Sequence, residues 1–265
     1  MMRPGVRSPP DPPIFAAGLK RMYRFYCPGA DFSKPSVVLT DAHEIHHIKD
    51  VLRLKAGAAL QVFNARSQQA DAVIEMVQEA AIRLSITSVK AAAEAGVKVI
   101  LACVPPKKGK FEWIVEKCTE LGVDEIIPLK AKRGEVIFTP ERMQGKLKRF
   151  EAVAVNASKQ SKRLKVTRIH PMSSLADVFH HGDSQGVRLI ASLHKHPTHI
   201  TQALFNVTSS ASVTIFIGPE GDFTPDEVKF AVDNGCIPVS LGDTVLKVET
   251  AAICCVALVK FLCRN

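Results

Sequence analysis

The sequence predicts an α/β protein in which a parallel sheet is covered on both faces by helices and preceded by a small β-barrel-like module. Three observations carry this. Residues 97–104, VKVILACV, form a continuous apolar run, the pattern of a strand buried on both faces. From Lys98 onward such runs alternate with helical patterns. Between Tyr23 and Val89, by contrast, the segments are short and either alternate in polarity or are rich in β-branched residues.

The chain has 265 residues, 46% hydrophobic and 23% charged, enough for one large domain or two ordinary ones. No run approaches the roughly 20 apolar residues of a spanning helix, so no membrane partner is expected. The longest, AAICCVALV (Ala251–Val259), reads as a core or interface helix. Seven scattered cysteines without a Cys-x-x-Cys pair read as the reduced thiols of a cytoplasmic protein. The histidines at 43, 46, 47, 194, 196 and 199 lack Cys or acidic neighbours at ligand spacing, so no metal is expected.

Residues 1–21 are proline-rich and aperiodic and read as a disordered leader. VVLT, ALQVFN, ADAVIEMV and IRLSITSV then supply strands of a barrel over residues 22–90. Asp41 is the candidate N-cap of an intervening helix, HEIHHIKDVL. KAAAEAGV (Lys90–Val97) reads as a linker into a second domain, residues 97–265. There FEWIVEKCTEL places Trp113, Ile114, Cys118 and Leu121 at helical spacing, with Gly122 as the stop. DEIIPL is the next strand, Pro140–Lys165 a long helix with a basic loop, and RLIASL and VTIFI two further strands.

Net charge is +9, and the segment Lys98–Arg168 alone holds 17 Lys or Arg against 8 Asp or Glu. The rest of the chain is therefore close to neutral. A basic middle points to a polyanion such as nucleic acid.

Two glycine loops stand out, IFIGPEGDFTPDEV (Ile215–Val228) and LGDTVLKVETAA (Leu241–Ala252). Thr224 is a natural N-cap, Pro225 sits at N1, and Thr224-x-x-Glu227 fits a capping box. Glycine lets backbone approach a ligand, so the two loops suggest one small-molecule pocket. Neither a Gly-Lys-Ser/Thr phosphate loop nor G-x-G-x-x-G is present, and Glu220 and Asp222 would repel phosphate. S-adenosylmethionine is a ligand without phosphates that fits.

Taken with YRFY (Tyr23–Tyr26), HEIHHIKDVLRLKAGAALQVFN, EWIVEKCTELGVDEIIPL and QSKR (Gln160–Arg163), these loops resemble the bacterial 16S rRNA uridine N3-methyltransferase family of the SPOUT superfamily. The resemblance implies a PUA-like barrel for RNA and a SPOUT α/β domain with a deep trefoil knot. It also implies a homodimer, S-adenosyl-L-methionine as cofactor, and 16S rRNA or the small ribosomal subunit as partner. Three loops would hold the cofactor. The first is Leu193 with His194. The second is Ile217, Gly218, Pro219, Glu220 and Gly221. The third supplies Leu241, Gly242, Val245, Leu246, Thr250 and Ala251. Arg163 and Lys247 would stabilise the uridine anion, Gln160 would bind a uridine carbonyl, and Glu249 would accept a proton or pair with a base. Arg24, His47 and Arg53 in the barrel, and Lys107, Lys132, Arg133 and Lys162 in the basic middle, are the candidate RNA contacts. The sequence departs from the family pattern at Asp222, where a third glycine is common, and at Lys247, where arginine is usual. It departs again at Lys159 and Lys162, which replace Glu and Gly. Methylation of another rRNA or tRNA site, or a non-catalytic role in ribosome assembly, are the rival readings.

Overall fold

The computed structural model describes residues 22–91, 96–107, 109–134, 140–181, 186–193, 197–208 and 211–263. The leader, part of the linker and His194 lie outside the described residues.

The N-terminal unit is a five-stranded sheet, β1 (Arg24–Tyr26), β2 (Ser36–Leu39), β3 (Ala59–Phe63), β4 (Gln68–Val77) and β5 (Ile82–Ala91), in the order β1-β3-β4-β5-β2. All pairs are antiparallel except β1 with β3. Its inward residues, among them Phe25, Leu39, Leu60, Val62, Ile74 and Leu84, form a separate core. Helix α1 (Ala42–His46) starts where the capping rule places it. Asp41 is extended, and its carboxylate accepts from Glu44 N–H at 2.9 Å. A π-helical turn, His47–Val51, continues it.

From Lys98 a second sheet begins. It comprises β6 (Lys98–Cys103), β7 (Glu125–Lys130), β8 (Arg168–Ile169), β10 (Val187–Ala191), β11 (Thr198–His199), β12 (Ser212–Ile217) and β13 (Cys236–Ser240). Their order is β11-β13-β10-β12-β6-β7-β8, every pair parallel, with β9 (Ser173–Ser174) on β7. Helices α2 (Lys110–Leu121), α3 (Pro140–Gln160) and α7 (Val248–Leu262) belong to one apolar layer, built on Leu101, Ile114, Cys118, Phe150, Ile215 and Val256. Helices α4 (Leu175–His181) and α6 (Pro225–Asp233) bury Val178, Phe179, Val228 and Ala231 with Phe216 and Phe223 in the other layer. Helix α5 (Ile200–Ala203) is a single turn. Burial on both faces is why β6 and β12 read as unbroken apolar runs.

One helical stripe differs from the expectation. Ile114 and Cys118 are buried, but Trp113 is 46% exposed and Phe111 takes the inward position. Strand β13 and the short β8, β9 and β11 are elements that the sequence reading did not resolve. The seven cysteines are all free. No described helix is long and apolar enough to cross a membrane, and the described residues hold no group of three or more His, Cys, Asp or Glu that could hold a metal.

The two units meet at β1 and α3. Arg24 is buried, and its guanidinium donates to Ser158 O (3.0 Å) and Arg163 O (2.5 Å) while lying 4.1 Å from the centre of the Phe63 ring. It therefore adds a donor at the C-terminal end of α3, to Ser158 O, which also accepts from Arg163 N–H, and ties down the segment that follows the helix. Burial pulls its pKa down to about 10, which leaves it charged at neutral pH.

Candidate active site

Parallel strands point their C-terminal ends the same way, and ligands of open α/β sheets bind at that edge. Here the edge gathers the segment after β10, the turn after β12 and the segment from β13 into α7. They enclose a cavity of about 440 Å³, the size of a small-molecule site. Leu193, Ile217, Gly218, Pro219, Glu220, Leu241, Gly242, Val245, Leu246 and Ala251 line it, as expected from the sequence. So does Lys247, the N-cap residue of α7. Gly221 and Thr250 are not in the lining. Asp222, Thr244 and Val248, within the two glycine loops, also line the cavity, and so do Ser192, Val239 and Ser240, which the sequence reading did not place there.

The turn after β12 is tightly built. A Cβ on Gly218 would stand 3.0 Å from the Phe223 ring and 3.1 Å from Phe223 N. Gly242 has φ +112, a conformation that L side chains rarely adopt. Gly221, by contrast, has open space, with only the Arg133 side chain at 3.6 Å. Glycine is therefore demanded at 218 and 242 and not at 221. The helix that follows starts on a complete capping box. Thr224 Oγ1 accepts from Glu227 N–H, and Glu227 Oε2 accepts from Thr224 N–H at 2.8 Å.

Three basic candidates crowd the same edge, held down by the turn. Arg133 Nη1 donates to Gly221 O at 2.7 Å. Lys132 N–H donates to Glu227 Oε1 at 2.8 Å, and its ammonium reaches Asp226 at 3.4 Å. Lys107 N–H donates to Glu220 Oε1 at 3.4 Å. All three side chains are exposed.

Glu249 faces away from the cavity, nearly buried, in an ion pair with Lys110. Burial alone would raise its pKa, but the Lys110 hydrogen bond and the charges of Lys110 and Lys247 outweigh it and hold the carboxyl below its ordinary value. A group so held is a poor proton acceptor near neutrality and a good anchor for α2 against α7.

Arg163 needs a correction. It was expected beside the reacting uridine, but it lies at the opposite, N-terminal edge of the sheet. Its Nη1 donates to Thr119 O, Val123 O and Thr167 Oγ1 at 2.8–3.0 Å. Burial lowers its pKa, against a raising contribution from Asp124. Within one chain its guanidinium ties the end of α2 to the start of β7. Gln160 and Lys162, the latter at φ +59, are exposed on the same side as Arg163 and line no part of the cavity. Arg24 is likewise corrected from an RNA contact to the inter-unit tie described above. His47 is half-buried edge-on to Phe25, its pKa lowered first by burial and then by Lys159. Arg53 is exposed at φ +53 beyond the π-helical turn.

Comparison with known proteins agrees with this architecture. Residues 93–260 match the RNA methyltransferase domain, and residues 39–87 match the RNA methyltransferase PUA domain. The chain is 27% identical over 223 residues to Ribosomal RNA small subunit methyltransferase E of Bacillus subtilis, covering 82% of this chain and 87% of that protein. It is 27% identical to the enzyme of the same name from Rickettsia conorii, over 85% and 90% of the two chains. A probable rRNA-methyltransferase from Porphyromonas gingivalis shares 30% identity with a TM-score of 0.79, over 91% of this chain and 98% of that one. A Legionella pneumophila methyltransferase, solved with the bound cofactor SAM, shares 28% identity with a TM-score of 0.81, over 91% and 98% of the two chains. With the matched domain spanning more than half of its length, the chain belongs to the RNA methyltransferase family and carries that family's PUA domain at its N-terminal side.

Proposed function

We propose that this chain transfers a methyl group from S-adenosylmethionine to N3 of a uridine in 16S rRNA of the small ribosomal subunit. The observation that carries the reading is the three-loop cavity at the C-terminal edge of a parallel sheet, in a chain of the RNA methyltransferase family. The residues suit this cofactor. Ile217, Leu241, Val245, Leu246 and Ala251 offer an apolar clasp for a flat ring, and Glu220 and Asp222 add carboxylates suited to a cationic ligand. Among the described lining residues, Lys247 is the only Lys or Arg.

When bound, S-adenosylmethionine would supply an electrophilic methyl and a neutral thioether leaving group, and the uridine N3 proton would pass to water. The chain has to orient the base and favour its anion. Lys247, which lines the cavity, would stabilise that charge. Lys107, Lys132 and Arg133 form a basic rim on which the RNA backbone would lie. Arg53, exposed on the barrel, would be a separate contact for the RNA.

The units are taken as residues 22–90 and 97–265. Insertion of β13 between β11 and β10 supports a trefoil knot in the C-terminal part. Exposed Phe261 and Leu262 on α7, with Leu193 and Val245 at the cavity, support a homodimer. A substrate in the bacterial small ribosomal subunit would go with a cytoplasmic location.

Titration calorimetry with S-adenosylmethionine, and mass spectrometry of 16S rRNA from a deletion strain, test the proposal. Binding at a single site per chain and loss of 3-methyluridine are expected. Unchanged 3-methyluridine would overturn the target, and absence of binding would overturn the cofactor in favour of a non-catalytic RNA-binding role.

A further inference from the structure

Asp222 has the features of a strap across the cavity. It sits at φ +59 in the turn after β12, a conformation that glycine adopts freely and that aspartate tolerates better than most side chains. Its Oδ2 accepts from Leu193 N–H at 2.9 Å and from the Ser192 hydroxyl at 3.1 Å, and its Oδ1 accepts from Phe223 N–H at 2.7 Å. Ser192 and Leu193 belong to the segment after β10, and both line the cavity together with Asp222. One carboxylate thus joins two of the three loops that enclose the site.

Asp222 also sets what Leu193 can offer. The Leu193 amide is taken by the carboxylate, so this position meets a ligand through its carbonyl and its exposed side chain. Glycine would relieve the backbone and remove every one of these side-chain bonds. The fold alone would favour that exchange, because a left-handed residue with a side chain is the more strained choice.

We propose that Asp222 is a positioning residue for the cofactor: its carboxylate fixes the segment after β10 against the turn after β12 and so presets the cavity for S-adenosylmethionine. This rests on the cofactor reading above. Preset walls raise affinity by reducing the ordering that binding must bring about.

The test compares the whole protein with Asp222→Gly and Asp222→Asn by titration calorimetry with S-adenosylmethionine. Amide hydrogen exchange at Leu193 and thermal unfolding are followed without ligand. Asn keeps the left-handed backbone and one acceptor oxygen, whereas Gly keeps only the backbone. Asp222→Gly is expected to bind the cofactor about tenfold more weakly, with faster exchange at Leu193 and an unchanged or raised melting temperature. Asp222→Asn should recover most of the affinity and protection. Equal affinity in Asp222→Gly, or a fall in melting temperature that Asn does not restore, would overturn the proposal. Failure of the unaltered protein to bind S-adenosylmethionine would overturn the cofactor reading. Even then, unchanged exchange at Leu193 in Asp222→Gly would remove the strap independently.

Discussion

Lys159 Nζ lies 2.8 Å from Glu44 Oε1 and 2.9 Å from Oε2, joining the last turn of the long helix α3 to the first helix of the barrel. The two side chains are 12% and 6% exposed. Together with the Arg24 tie, this pair makes the junction between the units a charged and nearly dry contact. Both contacts fall on the last turn of α3 and the residues just after it.

Breaking that pair from one side leaves a charge stranded in a desolvated site. Glu44→Leu alone should cost roughly 3–5 kcal/mol, and Glu44→Leu with Lys159→Met should recover most of it. Denaturant unfolding of the four-member cycle measures the coupling. A coupling near zero would mean that water reaches the junction.

Arg163→Ala should act on stability before chemistry. It removes three hydrogen bonds to Thr119 O, Val123 O and Thr167 Oγ1, so a loss of about 2–4 kcal/mol is expected. Methyl transfer per folded molecule should persist, whereas Lys247→Ala should depress it while leaving stability within about 0.5 kcal/mol. Chemical unfolding alongside a methyl-transfer assay separates the two. An inactive but fully stable Arg163→Ala would return this residue to the reaction.

The glycines of the turn after β12 should differ sharply. Gly218→Val places atoms against the Phe223 ring and backbone and should abolish cofactor binding. Gly221→Ala meets only a flexible Arg133 side chain and should bind within about twofold of the unaltered protein. Calorimetry on both variants checks the contrast, and equal loss in the two would contradict it.

Acid stability should depend on Glu125. Its carboxylate accepts from His170 Nε2 at 2.6 Å and pairs with Lys98 at 2.6 Å. The His170 bond, working against burial and aided by Lys98, holds its pKa down to about 2. A depressed folded value means that the stabilisation is fully present above about pH 4.5 and is lost as pH falls from there through about 2. The amount is about 3 kcal/mol. Glu125→Gln should lack this part of the acid dependence in urea melts taken between pH 5 and pH 2. An identical slope in the variant would assign the acid transition to other carboxylates.

Local chemistry was readable from the sequence, and placement across space was not. The Thr224 and Asp41 caps, Pro225 at N1 and the Gly122 stop all depend on neighbours within a few positions, and each appears as expected. The two glycine loops were readable for the same reason, whereas their meeting with the segment after β10 around one cavity is a tertiary feature. Arg24 and Arg163 show the limit. Their charge is visible in YRFY and QSKR, but whether a guanidinium meets RNA or a carbonyl from a distant segment depends on tertiary contacts. Alternation in β1 offered one signal. With Phe25 in the barrel core, Arg24 and Tyr26 must face outward, toward whatever covers that edge. At Asp222 the sequence shows only a departure from glycine. The strap exists because the segment after β10 comes within reach.

The strand order has a consequence for biogenesis. Lys98 on β6 pairs with Ser212 on β12, and β10 gains its second neighbour only when Cys236–Ser240 is available as β13. Sheets closed by such distant segments have high contact order and fold slowly. During synthesis the barrel, whose pairings lie within residues 24–91, can form early. The β6 and β7 region must wait with its apolar faces uncovered until α7 emerges. A chain proposed to modify ribosomes would thus complete its cavity only once β13 and α7 have left the ribosome that makes them, and the interval before that is where chaperone protection would count most.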